Sequence, residues 1–220
     1  MTKRNTGIAI VAVLLLAVAL FFLARCSSAD PESVAESTSE ASDTETDAPE
    51  EESVPTPEVD SLYTATYEPN GTEIAMITTP KGVIKFEFFV EDAPNHVASF
   101  IERAQDGFYD GTKFHRVEPN FVIQGGDPLS KTDDPNVGTG GPGYVLGEEF
   151  NDRLHLEGTV AMARSMDPNS GGSQFYICLS PQPSLDGQYT VFGQVTEGLD
   201  VVHAIAVGDV MESMVIENAN

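Results

Sequence analysis

Phe114-His-Arg-Val-Glu-Pro-Asn-Phe-Val-Ile-Gln-Gly-Gly-Asp127 is the stretch on which the reading of the fold turns. Lys113–Val117 and Phe121–Gln124, on either side of Glu118-Pro-Asn120, are short and rich in aromatic and β-branched residues, as strands are. Gly125-Gly126-Asp127-Pro128 ends the second run as a turn between elements, and nothing in it opens a helix as a dinucleotide-binding loop must. Gln124 lies in an apolar strand and needs hydrogen-bond partners if buried, as does Gln174 further on.

Outward from this block the same pattern repeats. Glu73–Thr78, Val83–Phe89, Thr159–Ala163, Gln174–Leu179 and Thr190–Val195 are short alternating or apolar runs between Gly- and Pro-rich turns. They predict an antiparallel sheet closed into a barrel or sandwich. Two stretches have helical spacing. Val97, Phe100, Ile101 and Ala104 fall on one face, with Asp92-Ala-Pro-Asn95 as a start signal and Gly107 as a stop. A shorter helix, Leu199–Ile205, follows Gly198.

The rest of the chain divides in two. Lys3 and Arg4 precede an uninterrupted apolar run from Gly7 to Ala24, about 27 Å long as a helix against a hydrocarbon core of roughly 30 Å. It has no polar stripe, so it predicts a membrane segment over residues 1–26 with a cytoplasmic N-terminus and the remainder on the extracytoplasmic face. Leu23-Ala24-Arg25-Cys26 resembles a bacterial lipoprotein signal, which makes Cys26 a lipidation candidate, although Arg25 stands where that motif expects a small residue. An uncleaved anchor and a lipidated Cys26 both leave the protein tethered. Residues 27–61 are Ser, Thr, Pro and acids with almost no large apolar side chain, which predicts a disordered acidic linker. Residues 62–220 form the expected folded domain.

The 220 residues carry a formal charge of −24, with twelve acids and no base between 30 and 60. That balance repels a phosphate backbone, so nucleic acid is not an expected partner. The acidity fits a salt-rich habitat or simple solubility. Two cysteines make no disulfide framework, and Cys178, inside Phe175-Tyr-Ile-Cys-Leu179, reads as a small buried hydrophobe. The histidines, His96, His115, His155 and His203, lack metal-ligand spacing, so no metal site is expected.

Taken with Gly158-Thr-Val-Ala-Met-Ala-Arg-Ser165, Gly171-Gly-Ser-Gln-Phe-Tyr-Ile-Cys178 and Leu185-Asp-Gly-Gln-Tyr-Thr-Val-Phe-Gly-Gln-Val195, the opening block closely resembles the cyclophilins, peptidyl-prolyl cis-trans isomerases that bind cyclosporin. The resemblance runs from about Ile74 to Val207. It implies a mainly β fold, an eight-stranded antiparallel closed barrel capped by two helices, and catalysis of X–Pro rotation without a cofactor. It places Arg116, Phe121 and Gln124 in catalytic positions. Val122, Tyr176 and Leu185 then line the proline pocket with Phe121, Ala163, Arg164 and Gln174 form the wall for residues before the proline, and Tyr189 lies at the rim. Ser184 and Tyr189 stand where many members have Trp and His, Val122 where Met is commoner, Tyr176 where Phe is, and Arg164 where Asn is. The missing Trp makes weak cyclosporin binding the expectation. The expected partners are Pro-containing segments of unfolded or secreted proteins. The implied function is a membrane-tethered isomerase assisting folding outside the cytoplasm; the alternative is a proline-segment binding module acting as holdase or scaffold.

Overall fold

The computed structural model describes residues 62–132 and 134–218. The expected membrane segment, Cys26 and the acidic linker lie outside the described residues. Eight strands and two helices follow in chain order: β1 Glu73–Thr79, β2 Gly82–Phe88, α1 Pro94–Gln105, β3 Arg116–Val117, β4 Val122–Gly125, β5 Thr159–Met162, β6 Phe175–Cys178, β7 Val191–Glu197, α2 Leu199–Ala204 and β8 Ser213–Asn218. The last strand is not among the runs read from sequence.

All strand pairs are antiparallel, in the order β3-β4-β6-β5-β7-β2-β1-β8, and curl into a half-barrel. The edge strands β3 and β8 do not pair with each other, so the expected closed ladder is replaced by a looser join. Residues just before those strands complete it: Gly111 N–H donates to Met211 O at 2.8 Å, Met211 N–H to Thr112 O at 2.8 Å, and Phe114 N–H to Asp209 O at 2.9 Å. Lys113 and Val210 form a single bridge there. The left-handed backbone at Gly111, φ 80°, and the two-residue length of β3 prevent a regular ladder at this seam.

The sheet has two apolar faces, and period-two alternation sorts side chains between them. Ile123, Val160, Met162, Phe175 and Ile177 point into the main core with Phe86, Phe100 and Phe192. Val122, Ala161, Tyr176, Cys178 and Val191 make a second, smaller cluster on the opposite face. Helix α1 lays Val97, Phe100, Ile101 and Ala104 into the main core, as its spacing predicts. It starts at Pro94, inside the start signal, but the cap differs from expectation. The N-cap is Ala93, which has no side chain to cap with, and Asp92 pairs instead with Arg153 at 2.8 Å. The free N–H groups of Asn95 and His96 go to the Glu149 carboxylate at 2.9 and 2.8 Å, and the His96 ring meets it at 2.6 Å. A carboxylate from a distant loop thus caps the positive end of the helix.

Candidate active site

Strand register builds the site as one row across the small apolar face. Arg116 on β3 stands opposite Gln124 on β4, Gln124 opposite Tyr176 on β6, and Tyr176 opposite Ala161 on β5. Ala163 N–H donates to Gln174 O at 2.9 Å, which sets those two residues side by side at the end of the same pair of strands. Phe121 is aimed by the turn before it. Asn120 adopts φ 60°, a left-handed conformation that asparagine tolerates better than most residues, while Glu118 N–H donates to Val122 O. Ser180 and Gln182 side chains donate to Asn120 O at 2.7 and 2.9 Å and hold the turn in place.

Arg116, Phe121, Val122, Gln124, Ala163, Arg164, Tyr176, Leu185 and Tyr189 line one cavity of about 100 Å³. Its floor is apolar and buried, with Val122 2 % and Tyr176 5 % exposed. Gln174, expected on the same wall, lies in an adjoining groove of about 410 Å³ that shares Gln124, Ala163 and Arg164 with the first cavity.

The polar side of the cavity is a directed chain of amides. Arg116 Nη1 donates to Gln124 Oε1 at 3.2 Å, and Gln124 Nε2 donates to Gln174 Oε1 at 3.0 Å. Gln174 Nε2 in turn donates to Gly138 O and Gly140 O, both at 2.9 Å. Each amide is therefore fixed in orientation by its neighbours. The loop receiving the last donor is itself held by the buried Asp127, whose carboxylate accepts from Gly138, Gly140 and Leu129 N–H groups. The guanidinium of Arg116 stands 5.6 Å from the Phe121 ring centre, with Nε 3.6 Å from Glu118. Arg164 is tied down by Gln188 O at 3.0 Å and lies 4.7 Å over the Tyr189 ring.

Beneath the floor lie residues to which sequence reading assigned no role in the site. Tyr176 hydroxyl is 2.9 Å from His155 Nε2, and His155 Nδ1 is 2.9 Å from Asp186 Oδ1. Asp186 also accepts the His155 backbone N–H at 2.8 Å, and these two bonds hold its carboxyl below the usual aspartate range. Burial pushes the Tyr176 phenol well above its ordinary value, so it is a neutral hydroxyl. Burial also pushes the Cys178 thiol up to about 12, which makes it no nucleophile at neutral pH. The only signal for His155 was a lone histidine among leucines, and its partners are 21 and 31 positions away.

An apolar pocket beside a fixed guanidinium suits a reaction that breaks no bond. Rotation about X–Pro faces a barrier of about 18–20 kcal/mol because amide resonance is lost in the twisted state. That state needs a cage for the ring and a donor where electron density localises on nitrogen. The comparisons with known proteins agree. A family model described as cyclophilin type peptidyl-prolyl cis-trans isomerase/CLD matches residues 74–220.

The chain belongs to the cyclophilin family.

It is a cyclophilin-type peptidyl-prolyl cis-trans isomerase. A peptidyl-prolyl cis-trans isomerase of Synechococcus elongatus is 52 % identical over 137 residues, covering 61 % of this chain and 90 % of that one. Peptidyl-prolyl cis-trans isomerase B of Bacillus subtilis is 46 % identical over 136 residues, with the same coverages. Among solved structures, a Cryptosporidium parvum cyclophilin determined in the presence of the dipeptide Ala-Pro superposes with a TM-score of 0.59 at 28 % identity, over 66 % of this chain and 99 % of that one. The cyclophilin domain described here thus accounts for most of each relative's length.

Proposed function

We propose that this cyclophilin is a bacterial enzyme tethered to the membrane by residues 1–26, isomerising X–Pro bonds in proteins that fold on the extracytoplasmic face. The observation that carries the catalytic part is the single row in which Arg116, Gln124 and Tyr176 meet one apolar cavity. Phe121, Val122, Tyr176 and Leu185 hold the proline ring. Arg116 donates to the pyramidal nitrogen of the twisted imide, and Gln124 contacts the carbonyl before it. Ala163, Arg164 and Gln174 hold residues preceding the proline, with Tyr189 at the rim. The Ala-Pro dipeptide used with the Cryptosporidium relative supports this choice of ligand.

The tethered part rests on the apolar run Gly7–Ala24 behind Lys3 and Arg4. The long acidic spacer gives a tethered enzyme reach: treated as a coil, its 35 residues span about 30–35 Å. Two measurements test the proposal. The full chain in detergent should accelerate cis–trans exchange of a proline peptide followed by NMR, whereas binding without acceleration would favour a proline-segment holdase. Protease added to spheroplasts should remove the domain, and protection until lysis would contradict the extracytoplasmic placement.

A further inference from the structure

The family match begins at Ile74, yet residues 62–72 are fastened to the domain bond by bond. From Leu62 to Asn70 the backbone alternates exposed and half-buried residues, so Tyr63, Ala65 and Tyr67 face inward as in an extended segment. Asn95 on α1 holds it from both sides, its side-chain N–H donating to Tyr63 O at 2.8 Å and its oxygen accepting from Ala65 N–H at 2.8 Å. Glu102, two turns further along the helix, accepts four bonds: Tyr63 hydroxyl at 2.7 Å, Thr66 N–H at 2.7 Å, Thr66 hydroxyl at 2.8 Å and Tyr67 N–H at 2.9 Å. The far end closes on Glu73, which accepts from Tyr67 hydroxyl and from Asn70 and Gly71 N–H groups.

The near end of this strap touches the substrate side of the molecule. Tyr63 stacks on Tyr144 with ring centres 3.8 Å apart and planes 20° from parallel. Tyr63 N–H donates to Val145 O at 2.9 Å. Leu62 packs against Gly147, where an added Cβ would stand 2.9 Å from its Cδ1. Tyr144 and Val145 line the groove beside the proline cavity together with Gln174 and Arg164. One wall of that groove is therefore backed by the strap on one side and tied to α1 on the other, where Tyr144 hydroxyl meets Ser99 at 2.7 Å.

We infer that the strap Leu62–Asn70 determines specificity: by fixing the Tyr144–Val145 wall, Tyr63 sets the affinity for peptides long enough to occupy the second groove, without acting on the proline itself. The inference rests on the proposed reading of that groove as the place for residues before the proline. Tyr63 is a positioning residue, acting through Tyr144 and Val145, and Glu102 is its clamp.

The full chain in detergent is assayed by exchange NMR with two substrates, a blocked Ala-Pro dipeptide and a peptide with six residues before its proline. For Tyr63→Ala, KM for the long peptide should rise about five- to tenfold with kcat within twofold, while kcat/KM for the dipeptide stays within twofold. Tyr63→Phe keeps the stacked ring and should bring the long-peptide KM back to within twofold of the unmodified chain. Glu102→Gln loosens the strap from the helix side without touching the groove, and should shift the same KM in the same direction; thermal unfolding of each variant shows that the domain is intact. Equal losses on both peptides would overturn the inference. So would an unchanged long-peptide KM when amide exchange at Ala65 and Thr66 shows the strap released. Failure of the unmodified chain to turn over either peptide would overturn the isomerase reading, and the inference with it.

Discussion

Tyr176 forms part of the pocket floor and is also the last member of a hydrogen-bonded line from Asp186 through His155. The buried hydroxyl and the buried ring nitrogen satisfy each other in this bond. Tyr176→Phe keeps the ring and leaves a buried imidazole nitrogen unpaired, so stability should fall by about 1–2 kcal/mol, measured by chemical denaturation, with turnover within a few fold. Ser184 is exposed in the turn before Leu185, and its carbonyl accepts Gln188 Nε2 at 2.7 Å. It offers a cyclosporin-sized ligand neither the area nor the N–H donor of an indole. Inhibition by cyclosporin should be weak, and Ser184→Trp should strengthen it by about tenfold or more in a competition assay, since tenfold is about 1.4 kcal/mol. The family resemblance made Arg116, Phe121 and Gln124 legible as a set, because all three stand inside the one block, Phe114 to Asp127, that carries it. His155 was not legible, because its role exists only through Tyr176 and Asp186, which other elements deliver.

Elements show where local sequence rules are sufficient and where they are not. The spacing of Val97, Phe100, Ile101 and Ala104 named the buried face of α1, and Gly107 with φ 69° supplied the stop. The helix starts at Pro94, inside the start signal, but its cap comes from Glu149, which no local pattern encodes. Which side of the sheet Val122 and Tyr176 face was likewise invisible, since both sheet faces are apolar; pairing with β5 and β6 decides it. In the core beside α1, Tyr109 is fully buried and stacked on Phe100 at 4.8 Å, and its hydroxyl has no partner among the described residues. Tyr109→Phe removes a polar atom without changing the packing and should raise stability by about 1 kcal/mol, read as a higher unfolding midpoint. The strap was not read from sequence as an element because its inward residues are spaced by two in a short threonine-rich stretch and its clamp lies 35 or more positions away. Burial alone raises the Glu102 carboxyl, but hydrogen bonds from Tyr63, Thr66 and Tyr67 outweigh it and bring it down to about 2. A carboxyl depressed on folding contributes stability above its ordinary value of 4.5, and that contribution is lost as pH falls toward 2. Unfolding midpoints of the unmodified chain and of Glu102→Gln should therefore differ at pH 6 and converge between pH 4.5 and 2.

At the scale of the whole described domain, a half-barrel presents the proline cavity and its adjoining groove on its smaller apolar face. Two carboxylate arrangements support that face: Asp127 holds the loop behind Gln174, and Asp186 holds His155 against Tyr176. Nothing in the site needs a nucleophile or a base, so its power depends on how much better it holds a twisted imide than a planar one. On the proposed reading Arg116 is the group on which that difference rests, half-exposed at the end of an amide chain and 5.6 Å from the Phe121 ring centre. The most direct measurement is exchange NMR on a proline peptide with the full chain and its Arg116→Ala variant. The predicted result is a fall in kcat of ten- to a thousandfold, about 1.4–4 kcal/mol of transition-state stabilisation, with peptide affinity changed far less. An alanine variant that turns over as fast as the unmodified chain would contradict the account.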